Sequence, residues 1–360
     1  MPIARQVRGF IDNRSDFLER RRELINAILK TYKLWSFEEL ETGAMEFADC
    51  LGKFLPDDDR PNEGVFALQD DDEQWLSLRY DLTAPLARFV AQNYENIPKP
   101  FRRSACGPVW RNEKPGPGRY REFWQCDADI VGSPLPQADA EIIAMLANAL
   151  EAAGIAKGKY VIKVSNRKLL DGLLQSIGLD ENDVARKLTI LRALDKWDKF
   201  GAQGVSALLG KGRLDPSGDF TKGANLEESQ IEKVIAFASM AQTGLDAFYD
   251  ARDGILNNDL GKEGLEEIQA VFASLKAMNI NCENHDSMVQ VQFDTSIVRG
   301  LEYYTGIVFE AEFLEETTDE NGNIVRFGSI GSGGRYDDLV MRFRGERVPA
   351  TGCSIGISRL

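Results

Sequence analysis

The sequence predicts an α+β fold: an antiparallel sheet flanked by helices, interrupted by an inserted, mainly helical subdomain. Strand-like alternation and helical periodicity fall in separate runs rather than in regular βαβ succession. Two alternating segments, about 105–110 and 120–131, flank a loop with Pro115, Gly116, Pro117 and Gly118, which reads as a long-looped antiparallel hairpin. From about Arg167 to Cys282 helical patterns and dense charge replace strands, and strand-rich sequence resumes at Val289. The expected division is 1–166 and 285–360 for the two parts of one core, with 167–284 as the insertion.

Taken in order, Asn13 or Ser15 can cap a helix to about Tyr32 whose apolar face includes Phe17, Leu18, Ile25, Ile28 and Leu29. A strand is expected around 36–41, a long acidic loop over 50–75, a strand from Trp75 to Thr83 and a helix from Ala84 to Asn93. After the hairpin, Ala138 to Ala153 reads as helix, ended by Gly154, and Tyr160 to Val164 as strand. Glycines between Gly201 and Gly223 break the helical insertion. Val289, Val291 and Phe293 alternate as a strand, Ile307 to Phe313 forms another, and Asn321-Gly322 marks a hairpin turn. Gly331-Ser332-Gly333-Gly334 fits a tight glycine turn, and a last helix is expected to begin near Gly352.

Composition bounds the chemistry. The chain has 360 residues, 43% hydrophobic and 28% charged, enough for a substantial core. No run approaches the ~20 apolar residues that span a bilayer, and the N-terminus lacks an apolar leader, so no membrane partner is expected. The cysteines are odd in number and lack any CxxC pair, which fits reduced thiols of a cytoplasmic protein rather than disulfides or a metal site. With His285 the sole histidine, a His-based triad or multi-histidine metal site is not expected. A net charge of −14 disfavours nonspecific nucleic-acid binding. Yet Lys99, Arg102, Arg103, Arg111, Lys114, Arg119 and Arg121 stand against Glu113 alone over 99–121, the place to look for a polyanion.

In the second hairpin strand, alternation puts Gln125, Asp127 and Asp129 on one face and Cys126, Ala128 and Ile130 on the other. The second set suits a core; the first suits a buried face only if that face lines a polar pocket. Arg111, Glu113, Arg119 and Arg121 meet at the hairpin mouth, either gripping a phosphate chain or forming solvated surface pairs. Asp81 and Thr83, expected on one face of a strand, offer acceptors for an ammonium group. No P-loop or dinucleotide fingerprint occurs, so a nucleotide would have to be held by arginines on sheet strands. Val298 to Gly306 packs Arg299, Tyr303, Tyr304 and two glycines between strands, as an anion-plus-ring site would.

These segments together resemble class II histidyl-tRNA synthetases. Leu78-Arg79-Tyr80-Asp81-Leu82-Thr83-Ala84-Pro85 resembles their first histidine-site segment. Val109-Trp110-Arg111-Asn112-Glu113 with Gly118 to Asp129 is similar to class II motif 2, and Gly352 to Leu360 to motif 3. Arg299-Gly300-Leu301-Glu302-Tyr303-Tyr304-Thr305-Gly306 resembles the segment peculiar to the histidine enzymes. The resemblance covers the whole chain and implies the class II antiparallel sheet.

The resemblance also implies roles. ATP would lie with its α-phosphate on Arg111, its adenine amino group near Glu113, Phe123 under the base, and Arg119 and Arg359 at the β/γ-phosphate end. The amino group of L-histidine would go to Asp81, Thr83 and Gln125, and its imidazole to Asp129 and Tyr303, with Tyr304 shaping the pocket. Arg299 would bridge the histidine carboxylate and the α-phosphate, which makes Arg111 and Arg299 the catalytic pair. Histidyl-adenylate and pyrophosphate would form without a protein nucleophile, and the acyl group would pass to the acceptor arm of tRNA(His). Mg2+ is expected with the ATP phosphates and no dedicated metal site is expected. A homodimer is expected, although the segment matching motif 1 carries Gly43 where family members usually have proline. The chain stops at Leu360, at the end of motif 3, so the family's C-terminal anticodon-binding domain is expected to be absent, through truncation or by nature. That absence leaves an alternative, the related regulatory subunit of ATP phosphoribosyltransferase in histidine biosynthesis, which needs a histidine pocket but not the ATP-binding arginines present here.

Overall fold

The computed structural model describes residues 3–51, 64–116, 118–180, 182–214, 218–240, 244–256, 258–282, 288–297, 304–315, 317–318, 324–325 and 328–360. The chain forms two compact units, Met1–Tyr160 with Ala311–Leu360, and Val161–Glu310. Arg299, Tyr303, His285 and the Asn321-Gly322 turn lie outside the described residues.

The first unit begins with helix α1 (Ser15–Leu34) and strand β1 (Glu38–Glu39). Arg14, not Asn13 or Ser15, occupies the N-cap of α1, with no side-chain cap bond. Strand β2 (Met45–Phe47), the short helix α2 (Ala48–Leu51), β3 (Ala67–Gln69) and β4 (Trp75–Leu78) follow. They correct the expected 50–75 loop, since β2, β4 and β3 pair antiparallel as a small sheet. Asp70 makes their connecting turn, its carboxylate accepting from the amides of Asp72 and Gln74 at 3.0 and 2.8 Å. Helix α3 (Thr83–Asn93), the long strands β5 (Phe101–Trp110) and β6 (Glu122–Val131) and helix α4 (Pro136–Ala152) complete the first pass.

The chain then enters the second unit along β7 (Tyr160–Asn166). Asn166 caps α5 (Arg167–Ser176), and Asp183 caps α6 (Val184–Leu194), each side chain accepting from a first-turn amide. Helix α7 (Trp197–Leu209) kinks at Gly201, where φ is +60°, and a hairpin of β8 (Gly212–Leu214) and β9 (Phe220–Lys222) follows. Helices α8 (Glu228–Ser239), α9 (Leu245–Ile255) and α10 (Asp259–Ala277) come next, then β10 (Val291–Phe293) and β11 (Ile307–Phe313). Strand β7 runs between β11 and β10 and is parallel to β10. Phe237, Phe248 and Phe293 pack edge to face in the core of this unit.

Back in the first unit, the short strands β12 (Thr317–Thr318) and β13 (Ile324–Val325) pair antiparallel. The expected glycine turn at 331–334 is instead part of strand β14 (Ser329–Arg335). After a short helix α11 (Met341–Arg344), the expected last helix is strand β15 (Ala350–Gly356), followed by a 3-10 turn at Ile357–Arg359. The sheet of this unit runs β1-β5-β6-β15-β14, with only β1 parallel to its neighbour. Helices α1 and α4 cover one face. There Ile28, Tyr32, Ile142 and Leu146 bury against Cys126, Ala128, Cys353 and Ile355, and the Tyr32 hydroxyl donates to the Cys126 carbonyl at 3.2 Å. The opposite face carries the polar residues.

Candidate active site

The register of β5, β6 and β15 builds the floor. Gln125, Asp127 and Asp129 share the face away from α1 and α4, as alternation predicts, and all three are buried. Their cross-strand neighbours are small: Gly107 and Gly356 beside Gln125, Ala105 and Ser354 beside Asp127, Gly352 beside Asp129. Only Arg103, on the other side of Asp129, is large. A Cβ on Gly352 would lie 2.1 Å from Asp129 Oδ1, and one on Gly107 would lie 2.6 Å from a terminal nitrogen of Arg79. The glycines therefore make room for neighbouring polar side chains.

Arg103 and Asp129 form an ion pair at 3.2 Å, each at most 2% exposed. Arg103 also donates to the Leu82 carbonyl, and the Tyr336 hydroxyl donates to Asp129 Oδ1. Burial pushes the Asp129 pKa up, opposed by Arg103 and Tyr336. Asp127 is pushed up to about 7, first by burial and then by the charge of Asp129, with Arg103 and a hydrogen bond from Ser354 acting the other way. The Gln125 amide donates to Ser354 Oγ at 2.8 Å. Ser354 thus links Gln125 and Asp127.

At the edge of the floor, the structure moves Asp81 and Thr83 off the expected strand. Asp81 lies in the turn before α3 and Thr83 is the first residue of that helix. Asp81 Oδ1 accepts from the amides of Thr83 and Ala84 at 3.1 and 2.9 Å, so it doubles as a helix-start acceptor. Burial raises the Asp81 pKa, while those amides and Arg111 lower it.

Arg111 sits just past β5, half-buried, with its guanidinium 5.1 Å from the Phe123 ring and Nε donating to the Tyr80 carbonyl at 3.1 Å. Glu113 and Arg119 are exposed in the hairpin loop, where Gly116 and Arg119 pair through their backbones. Arg121 holds that loop from one side, donating from Nε to the Glu113 carbonyl at 3.0 Å and from its amide to the Gly9 carbonyl at 2.8 Å. Arg359, in the 3-10 turn after β15, donates to the Ser329 carbonyl. Tyr304 belongs to the second unit and is half-buried.

The basic run at 99–121 is therefore not one patch. Arg103 points to the floor, Arg102 pairs with Glu141 of α4, and Lys99 lies 4.0 Å from the Tyr94 ring. Arg111, Lys114, Arg119 and Arg121 alone belong to the hairpin end. Sequence reasoning missed Arg103, Ser354 and Tyr336, because their contribution depends on cross-strand register. It placed Asp127 on the right face but gave it no role. Among the described residues no cluster of acidic, cysteine or histidine side chains is arranged to hold a metal ion. Among the described residues no helix is long and apolar enough to cross a membrane.

Known proteins resemble this chain over nearly its whole length. A family model described as Histidyl-tRNA synthetase matches residues 9–360. A protein of Caulobacter vibrioides named Histidine–tRNA ligase is 58% identical, over 100% of this chain and 71% of its own length. One of the same name from Brucella ovis is 56% identical over 99% of this chain and 70% of its own. The crystal structure of histidyl-tRNA synthetase from Nostoc sp. PCC 7120 superposes with a TM-score of 0.78 at 26% identity, covering 100% of this chain and 74% of that one. A Bacillus halodurans structure titled as an ATP phosphoribosyltransferase regulatory subunit/histidyl-tRNA synthetase has a TM-score of 0.75 at 23% identity, covering 98% of this chain and 81% of that one, and shares the fold. With the family model spanning nearly the whole chain and relatives this similar, the chain belongs to the histidyl-tRNA synthetase family.

Proposed function

We propose that this chain is a histidine–tRNA ligase that activates L-histidine with the magnesium complex of ATP and passes the histidyl group to the 3′ end of tRNA(His). The observation that carries this reading is the floor itself. Buried acceptors on β6 stand beside mostly small cross-strand residues, with Arg111 and Phe123 at one end. A guanidinium beside an aromatic ring suits a phosphate and a stacked base, and the acceptors suit an ammonium and an imidazole.

In this reading Arg111 holds the α-phosphate, Phe123 and Glu113 the adenine, and Arg119 and Arg359 the outer phosphates. Asp81, Thr83 and Gln125 face the amino group, Asp129 and Tyr303 the ring, and Tyr304 helps shape the pocket. Arg299 bridges the carboxylate and the α-phosphate. The histidine carboxylate attacks phosphorus in line and pyrophosphate leaves. Two anions must approach, so prepositioned arginines supply the main stabilisation. Magnesium arrives with the nucleotide. We further propose a cytoplasmic homodimer.

Histidine-dependent ATP–pyrophosphate exchange tests the reading. Exchange with histidine, and with no other standard amino acid, is the expected result. A folded chain that binds histidine without exchange would instead favour the regulatory alternative.

A further inference from the structure

We propose that Asp127 binds the amino acid directly, accepting a hydrogen bond from its α-ammonium beside Gln125. The inference rests on the amino-acid-activating reading above and adds a residue to it. Asp127 is 1% exposed, yet its Oδ1 has no hydrogen-bond partner among the described residues, and neither has Oε1 of buried Gln125. A buried polar atom left in this state is costly, so a partner is expected to arrive with the ligand.

Ser354 engages one polar atom of each residue. Ser354 takes the Gln125 amide N–H at 2.8 Å and donates its own proton to Asp127, so the remaining oxygens are the acceptors left over. Asp129 differs in part: Tyr336 donates to its Oδ1, and its Oδ2, although without a hydrogen bond, lies 3.2 Å from the Arg103 guanidinium. The neighbours of Asp127 across the strands are the small residues Ala105 and Ser354.

Charge selects the ligand. Asp129, Asp81, Arg103 and Arg79 act electrostatically on Asp127; the two carboxylates oppose its ionisation while the two guanidiniums favour it. A cationic donor would favour the ionised Asp127 carboxylate against burial, Asp129 and Asp81; an anion or a neutral acceptor would not. Among the groups of an amino acid, the α-ammonium is always cationic at neutral pH.

Calorimetric binding of histidinol and of imidazolepropionate separates the contacts, because the first keeps the amine and lacks the carboxylate, and the second lacks the amine. In the Asp127→Asn variant, histidinol affinity should fall about 10- to 100-fold, the range for a lost hydrogen bond to a charged group, with imidazolepropionate affinity unchanged. Unchanged histidinol affinity, or equal losses for both ligands, would overturn the proposal. Asp127→Ala, beside Ala105, provides a second variant, with near-UV circular dichroism checking the fold of each. The unaltered chain gives a readout needing no variant: histidinol, but not imidazolepropionate, should release protons on binding at pH 7, and equal release would overturn the proposal. A chain that binds histidinol as expected but lacks histidine-dependent exchange would fail the functional reading alone.

Discussion

Arg103 presents a guanidinium that is 1% exposed to Asp129, which is buried to the same extent. Burying both charges costs desolvation, and the pair is tolerated because Leu82 and Tyr336 supply further hydrogen bonds. Removing one partner strands the other. Arg103→Met should therefore cost about 3–5 kcal/mol, and Tyr336→Phe about 1–3 kcal/mol, in urea unfolding. A loss below about 1 kcal/mol for Arg103→Met would show that Asp129 finds another partner or takes a proton. Asp127 makes a separate prediction through pH. Its folded-state pKa is raised to about 7 by burial and by Asp129, so the folded chain binds more protons than the unfolded one between the ordinary carboxylate range and about 7. Stability should fall as pH rises through that window, by about 1.4 kcal/mol for each unit of difference, and the loss should be complete above it. Urea titrations from pH 5 to 8 should show this slope flattened in Asp127→Asn; an unchanged slope would assign it to other groups.

At the scale of elements, the glycines of β14 and β15 show what the sequence could and could not tell. Glycine-rich runs at 331–334 and 352–356 carry the local signature of turns or close-packed helix, yet both are strand. Their glycines answer to neighbours across the sheet, which local propensity does not see. Gly352 leaves space for the Asp129 carboxylate, and Gly352→Ala would put a methyl 2.1 Å from Oδ1. The substitution should cost about 1–3 kcal/mol and weaken histidine binding, measured together by urea unfolding and calorimetry. Full histidine affinity in the variant would show that the Asp129 carboxylate can shift without consequence. Elements whose own pattern decides them were legible: β11 over Ile307–Phe313, the hairpin of β5 and β6, and the apolar helix α4. So was the face shared by Gln125, Asp127 and Asp129, since alternation alone sets it. Asp81 was misread as a strand residue because its capping role needs the helix start at Thr83, one residue earlier than apolar periodicity suggests.

For the molecule as a whole, the small sheet of the first unit bears on assembly. On one face of β2, β4 and β3, Glu46 and Ser77 are buried, and Glu46 takes Nε and a terminal nitrogen of the Arg88 guanidinium at 2.7 and 2.8 Å. The other face carries Met45, Phe47 and Leu68, exposed by 42%, 51% and 46%, with Leu76 and Leu78 between them in register. Gly43, just before β2, is not a loose hinge there, because Arg79 donates to the carbonyls of Thr42 and Gly43 and to that of Pro108 on β5. The segment expected to form the dimer is thus tied to the large sheet without the family's proline. A contiguous apolar face on an anchored sheet is a poor surface to leave in water, and a second copy of the chain is the partner this family leads us to expect. Sedimentation should give a dimer at micromolar concentration. Phe47→Asp combined with Leu68→Lys should shift it to monomer, while circular dichroism of the fold stays unchanged because neither side chain is buried. A wild-type monomer, or a double variant that remains dimeric, would place the dimer contact elsewhere.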